Sequence, residues 1–411
     1  MHDPTIHPKS ITRQFRSADF IKDPTLLTPD TLKQVVNDAV RLGCSGFDGV
    51  AIKSSDLRGK SIYQIDGLAP QLVLRHITSN IRRITGVKQD DRQFIVNCIK
   101  KLGSEGTSFR VYKFDVKSFY ETVPIDDVLK MLERDLAFSG QSVRALSSLF
   151  ADLGKLGVAG LPRGMAISAT LSEYLMRKFD RIASSTTGVW YYSRFVDDII
   201  IITDGREDEQ PFKVHIEAAL PKGLRFNEKS RCYAFGQFNG AKMPSDEHSF
   251  DFLGYHFAVS CAFRGSDNKI RREVKLDLAP SKVNKIKTRI AKSLIQYKAD
   301  NNFADLRDRV RLLTSNFSFE DRVTGAKRNS GVYFNYPLIT EPSSGGLRAL
   351  DKFLRNSIIS STPKNKLFPA LGPVQEKEVI RLSFVHGHIK KRFFSFDPKR
   401  LAHLTGCWFY A

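Results

Sequence analysis

The stretch Trp190–Thr203, WYYSRFVDDIIIIT, sets two adjacent aspartates inside a run of aromatic and β-branched residues. Such a run reads as a hairpin, with Asp197 and Asp198 at its tip between Phe195-Val196 and Ile199-Ile200. Neighbouring carboxylates repel, and each is costly to desolvate. Two answers exist. Aspartate tolerates the positive φ of a type I′ turn, so the pair can be turn chemistry alone. Alternatively, divalent cations invert the local electrostatics and favour clustered carboxylates.

The second answer requires a further ligand, and VYKFDVKSFYETVP supplies one. Asp115 closes an apolar alternating stretch, and Phe119 and Tyr120 follow it. A lone strand-end aspartate is more often a cap or turn residue. Its weight comes from order: this segment, then GLPRGMAISATLS, then FVDD.

The surrounding pattern is α+β. TPDTLKQVVNDAVRLG reads as a helix with Leu32, Val35, Val36 and Val40 on its apolar face, and Thr28 or Asp30 as its cap. QLVLRHITSNIRRIT and DRQFIVNCIKKLGSEG read as two more, the second ending at Gly103. FRVYKFDV is a strand, and DDVLKMLERDLAF, SVRALSSLFADLG, SATLSEYLMRKFDRIAS and QPFKVHIEAALP are helical. SFDFLGYHFAVS is a strand or a tight hairpin. This order implies helices on one face of a mainly antiparallel sheet. From Pro280 the chain turns helical and basic. In SKVNKIKTRIAKSLIQYK, Val283, Ile286, Ile290 and Leu294 form one stripe, and Lys282, Lys285, Lys287, Arg289 and Lys292 take the other faces.

Taken in order, these motifs resemble those of reverse transcriptases. FDVKSFY is similar to the first palm motif, GLPRGMAISATLS to the second, FVDD to the Y-x-D-D motif, GLRFNEKS to the fourth and FLGY to the primer grip. DDRQFIVNCI resembles the preceding fingers segment. The resemblance implies a right-hand polymerase: an N-terminal extension and fingers over 1–109, a palm over 110–265 with part of the fingers at 125–160, and a helical basic thumb and C-terminal region over 275–411.

It also implies nucleotidyl transfer with two Mg²⁺ ions, for which Mn²⁺ can substitute. Asp115, Asp197 and Asp198 would hold the metals, with the Val116 carbonyl as a further contact. Tyr120 would abut the incoming sugar and exclude a 2′-hydroxyl, which points to deoxynucleoside triphosphates. Pro162, Arg163 and Gly164 would lie beside the nucleotide and open the following helix. Relatives mostly carry Gln where Arg163 stands and Pro where Ala169 stands, so template handling is expected to depart from theirs. Lys229 would donate a proton to pyrophosphate, although its motif is one residue short. Arg92, with Lys88 or Arg83, would grip the triphosphate. Phe252, Leu253, Gly254 and Tyr255 would support the primer end. Lys282, Lys285 and Arg289 would track a duplex backbone. His386 and His388 are read as RNA-contacting or inert, and KKRFFSF as a segment that could stack bases, with core packing of its phenylalanines the favoured reading.

Charge agrees with a polyanionic partner. Lys and Arg total 64 against 44 Asp and Glu, a formal net charge of +20. The five cysteines are odd in number and form no C-x-x-C pair, which suits a reducing compartment and argues against a zinc module. No apolar run is long enough to span a bilayer, and the polar start MHDPTIHPKSITRQF lacks a signal-peptide core, so a cytoplasmic location without membrane contact is expected. PRGMAISATLSE, FVDD and KVNKIKTRI look most like bacterial abortive-infection and defence-associated reverse transcriptases. That group implies anti-phage defence, a noncoding RNA partner, a DNA product, and a homo-oligomer or companion protein. Two alternatives stand beside it: template-independent or protein-primed synthesis at the same site, and a non-catalytic RNA-binding scaffold on a polymerase fold.

Overall fold

The computed structural model describes residues 4–56, 59–135, 138–320, 327–343, 345–359 and 371–409. The opening of the N-terminal stretch, two residues near the end of the DDVLKMLERDLAF segment and parts of the C-terminal region lie outside the described residues. The chain divides into two compact units. One comprises Met1–Asp90 and Phe109–Ala234, the other Asp91–Ser108 and Phe235–Ala411.

The first unit is built on a sheet of β3 (Phe109–Asp115), β4 (Val189–Phe195), β5 (Asp198–Thr203) and β6 (Arg231–Phe235), in the order β4-β5-β3-β6. Both neighbours of β5 run antiparallel to it. Ile199 to Ile202 are all fully buried, because β5 is covered on both faces. A doubly covered strand reads as a continuous apolar run, not as an alternation. The helix Leu68–Thr85 packs on the long helix Ala166–Ser185, which lies on β4, and Pro29–Ser45 packs in turn on Leu68–Thr85 and on Gly140–Lys155. Thr28 precedes the first of these helices but makes no side-chain cap bond. The hairpin β1 (Ile52–Asp56) and β2 (Ser61–Ile65) was not legible beforehand, because most of β1 is polar and exposed.

In the second unit, β7 (Asp246–Phe252) and β8 (Tyr255–Ser260) form a tight hairpin. Its two-residue turn, Leu253-Gly254, has φ of 48° and 82°, the positive pair of a type I′ turn. Two short strands, β9 (Phe263–Arg264) and β10 (Ile270–Arg271), precede β11 (Val274–Leu278), which pairs with β8. The helix Pro280–Asp300 buries Val283, Ile290 and Leu294, with Ile286 partly covered, against the helices Phe303–Thr314 and Gly346–Ile359. A further hairpin, β12 (Asn316–Glu320) and β13 (Lys327–Gly331), and three short helices complete the unit.

Candidate active site

Asp115 ends β3 and Asp198 opens β5, and the antiparallel register sets the two opposite each other. Asp198 also faces Phe195 on β4, so the β4–β5 turn is Val196-Asp197. The sequence argument gave the positive φ of this turn to an aspartate. The structure gives it to Val196, at 62°. A β-branched residue in the left-handed region is an outlier, and such strain collects at functional sites. The Val116 N–H donates to the Asp197 carbonyl at 3.1 Å, which locks the end of β3 against the turn. Burial pushes the Asp197 carboxyl up from the usual range, and the charge of Asp115 adds to the rise.

Two groups missed by the sequence reading hold this arrangement. Asn227 donates its side-chain amide to Asp115 Oδ2 at 3.0 Å and its backbone N–H to the Asp115 carbonyl at 2.7 Å. The other is Arg194, whose side chain is 3% exposed. Its guanidinium donates to Glu173 Oε2 at 2.6 Å, to Asp180 Oδ1 at 2.8 Å and to the Val196 carbonyl at 3.1 Å. Tyr192 donates to the same Asp180. The signal was present: an arginine on an inward strand position demands buried acids, and the preceding helix offers Glu173 and Asp180 seven residues apart.

The helical turn Phe119–Thr122 carries Tyr120. The ring is half-buried, and burial raises its hydroxyl pKa although Ser172 hydrogen-bonds to it. Arg163 stacks over this ring, its guanidinium carbon 5.1 Å from the centroid, and forms a fork to Glu121 at 2.7 and 3.1 Å. Arg163 and Lys60 also contribute positive potential at Asp197. Pro162 accepts a bond from Ser168 Oγ at 2.6 Å at the entry to the long helix. Gly164 has φ of 94°, and a Cβ there would overlap Ile62 and sit 2.8 Å from the Tyr63 carbonyl. The close approach expected at this glycine is therefore made by β2, whose Tyr63 N–H also bonds to the Arg163 carbonyl at 2.7 Å.

Lys229 is exposed, and only its backbone N–H reaches back, to Asn227. Arg83 and Lys88 are exposed in the first unit. Arg92 belongs to the second unit. Its guanidinium donates to the Leu253 carbonyl at 2.8 Å and the Asn335 carbonyl at 2.9 Å, and lies 5.2 and 5.0 Å from the ring centres of Tyr255 and Tyr336. It thus clamps the Phe252–Tyr255 turn, where Gly254 also packs on Lys282. Phe252 and Tyr255 are fully buried. On the basic helix, Arg289 stacks on Trp408 at 5.5 Å, while Lys285 is half-buried. His388 is buried with Nε2 on the Tyr336 carbonyl, a satisfied core histidine and not an RNA contact; His386 is exposed.

Among the described residues, no three carboxylates, imidazoles or thiols converge as a complete metal-ligand set. Magnesium seldom needs one, since it is commonly held by one or two carboxylates and completed by water and substrate phosphates. Asp115 and Asp197 are hard oxygen donors whose mutual repulsion a cation would relieve, so the donor set fits. Asp115, Asp197 and Asp198 would hold the ion. When bound, it would activate a hydroxyl nucleophile and neutralise phosphate charge.

Residues 63–257 match the family described as reverse transcriptase (RNA-dependent DNA polymerase). That range runs from β2 through the carboxylate cluster into β8. No curated protein matches the chain. Among solved structures, apo telomerase from Candida tropicalis, truncated from its C-terminal domain, is similar at 13% identity with a TM-score of 0.33. The likeness covers 51% of this chain and 53% of that one, so the chain spans about half the length of the telomerase structure. The chain carries a reverse transcriptase domain, in an α+β fold of the right-hand polymerase class. The enzyme class of that domain is nucleotidyltransferase, the RNA-directed DNA polymerases. Among the described residues, no helix is long and apolar enough to cross a membrane.

Proposed function

We propose that this chain is an RNA-directed DNA polymerase that joins deoxynucleotides at the Asp115–Asp197–Asp198 cluster with two Mg²⁺ ions. One observation carries the reading: β3 and the β4–β5 turn bring Asp115 beside Asp197 and Asp198, at a half-buried position whose mutual repulsion a cation would relieve. Tyr120, beside Arg163, is the residue that excludes ribonucleotides. Residues 110–265 act as the palm and 275–411 as the thumb. Asn227 keeps the Asp115 carboxylate oriented, and Arg194 keeps the turn in place. The deoxynucleoside triphosphate, a noncoding RNA template and a DNA product are the substrates and partners. The resemblance of PRGMAISATLSE and KVNKIKTRI supports a cytoplasmic role in bacterial anti-phage defence. Arg163, held by Glu121, stands where relatives carry Gln, and this favours a template path unlike theirs.

The test is incorporation of labelled deoxynucleotides in Mg²⁺ by the chain purified with its bound nucleic acid, before and after RNase treatment. Incorporation that Asp197→Asn with Asp198→Asn removes supports the reading. Incorporation that survives in the double variant overturns the metal assignment. Synthesis that survives RNase replaces RNA templating with template-independent synthesis.

A further inference from the structure

Residues 391–396 run on from the short helix Phe384–Ile389, and their exposure alternates. Lys391, Phe393 and Ser395 point outward; Arg392, Phe394 and Phe396 point inward. Phe394 lies under the Arg311 guanidinium at 5.4 Å, and Phe396 joins the small core of Leu312, Leu404 and Trp408. Core packing therefore accounts for two of the three phenylalanines of KKRFFSF. Phe393 is 46% exposed, and Phe334 is 38% exposed.

The segments bearing these rings are fixed by one buried residue, Asn316. Its Nδ2 donates to the Arg392 carbonyl at 2.9 Å, and its Oδ1 accepts from the N–H groups of Tyr333 at 2.9 Å and Phe334 at 3.3 Å. Its backbone pairs with the 392–394 segment on both sides, N–H to Arg392 and carbonyl to Phe394. Gly387 lies so close to the Thr314 carbonyl that a Cβ would overlap it. Lys391 adopts φ of 48°, and its ammonium sits 4.5 Å from the centre of the Tyr333 ring, which in turn contacts Phe334. The rings are thus presented on a rigid frame, with Lys391 and the exposed Lys390 beside them.

We propose that Phe334, Phe393, Lys390 and Lys391 form a binding surface for single-stranded nucleic acid. Unpaired bases stack on the two rings, and the lysines neutralise the phosphates between them. The chain's formal charge of +20 favours a polyanion over a protein as the occupant. The four residues all lie in the second unit, whereas the carboxylate cluster lies in the first. Binding here uses no divalent ion and no nucleotide, so it goes beyond the polymerase reading.

The experiment is fluorescence anisotropy on the full chain carrying Asp197→Asn and Asp198→Asn, in EDTA. The probes are labelled oligo(dT) and oligo(U) single strands and a duplex of the same length. Phe334→Ala and Phe393→Ala are each expected to weaken single-strand binding roughly fivefold to 150-fold. Lys390→Gln with Lys391→Gln is expected to flatten the salt dependence. Ring dependence on either single strand supports the proposal and names the preferred strand. Phe334→Leu with Phe393→Leu keeps the apolar bulk and guards against misfolding. If that pair melts like the parent and binds both strands as tightly, stacking is wrong. If the alanine pair keeps its affinity but loses self-association, the face is a protein interface and the proposal fails. Loss of polymerase activity elsewhere would leave each of these results unchanged.

Discussion

The guanidinium of Arg194 donates to the carbonyl of Val196, two residues along the chain and across the start of the turn, at 3.1 Å. The same guanidinium is forked onto Glu173 and Asp180 of the long helix. A turn that bears two repelling carboxylates is thereby tied to a helix by a single buried cation. Burial pushes the Glu173 carboxyl up, and Arg194 works against that rise.

Removing that cation should separate structure from geometry. Arg194→Met leaves Glu173 and Asp180 without their cation, and breaking a buried pair in this way destabilises by about 3–5 kcal/mol. A drop in the chemical-denaturation midpoint of corresponding size is expected. Arg194→Lys keeps the charge but loses the planar fork that spans two carboxylates and a carbonyl. Its stability should fall less, while nucleotide incorporation falls by about tenfold or more, since small misplacements at a reacting centre cost up to about a hundredfold. Equal losses in both variants would mean that Arg194 acts on stability alone.

The second expectation concerns charge at the turn. The folded-state pKa of Asp197 is raised above its unfolded value of 3.8. The folded state therefore holds the proton more tightly, and stability falls as pH rises from about the unfolded value through the raised folded pKa. Above that window the parent carries the full penalty and Asp197→Asn carries none. Asp197→Asn should be the more stable at neutral pH, with its advantage vanishing as pH falls through the window. Millimolar Mg²⁺ should raise the melting temperature of the parent and leave Asp197→Asn with Asp198→Asn unmoved, because a ligand stabilises only the state that binds it. Melting curves across pH, with and without the ion, measure both effects.

Much of this site could be read from the chain. Asp115, Asp197 and Asp198 lie in short segments whose strand pattern is strong, and the run Ile199–Ile202 that follows two of them fits a strand covered on both faces. What stayed hidden depends on tertiary contact. Asn227 reaches Asp115 only because Phe226 bridges to Val116. Arg92 and Arg289 read as free cations, yet both are packed against aromatic rings of their own unit. The positive φ fell on Val196, against local preference, because Asp198 is committed to pairing with both Phe195 and Asp115.

That commitment gives a third expectation. A left-handed β-branched residue carries strain of about 1–3 kcal/mol. Glycine relieves it but adds about 0.5–1 kcal/mol of backbone entropy to the unfolded chain and loses the partial packing of the valine. Val196→Gly should therefore change stability by no more than about 1 kcal/mol. Incorporation should fall further than stability does, because the turn loses the rigidity that holds Asp197. A loss of several kcal/mol in urea denaturation would show that Val196 is an ordinary packing residue.

The last expectation concerns the Tyr120–Arg163–Glu121 stack. Arg163 lowers the Glu121 carboxyl pKa through their fork, and Glu121 in turn raises that of Arg163. The Glu121 side chain is 48% exposed, so solvent screens the pair and its share of stability is small. Its work is positional: it holds Arg163 over the Tyr120 ring, 5.1 Å from the ring centre. Tyr120→Ala removes the bulk proposed to meet a 2′-hydroxyl, and incorporation of ribonucleotides relative to deoxynucleotides should rise. Glu121→Gln keeps the ring but loosens the arginine above it. If the stack sets the position of the ring, Glu121→Gln should also relax sugar choice, by less than Tyr120→Ala, with an unchanged melting temperature. If Glu121→Gln leaves sugar choice intact while Tyr120→Ala alters it, the ring is held by burial and Ser172 alone. Single-turnover incorporation of matched ribo- and deoxynucleotides by the two variants distinguishes these outcomes.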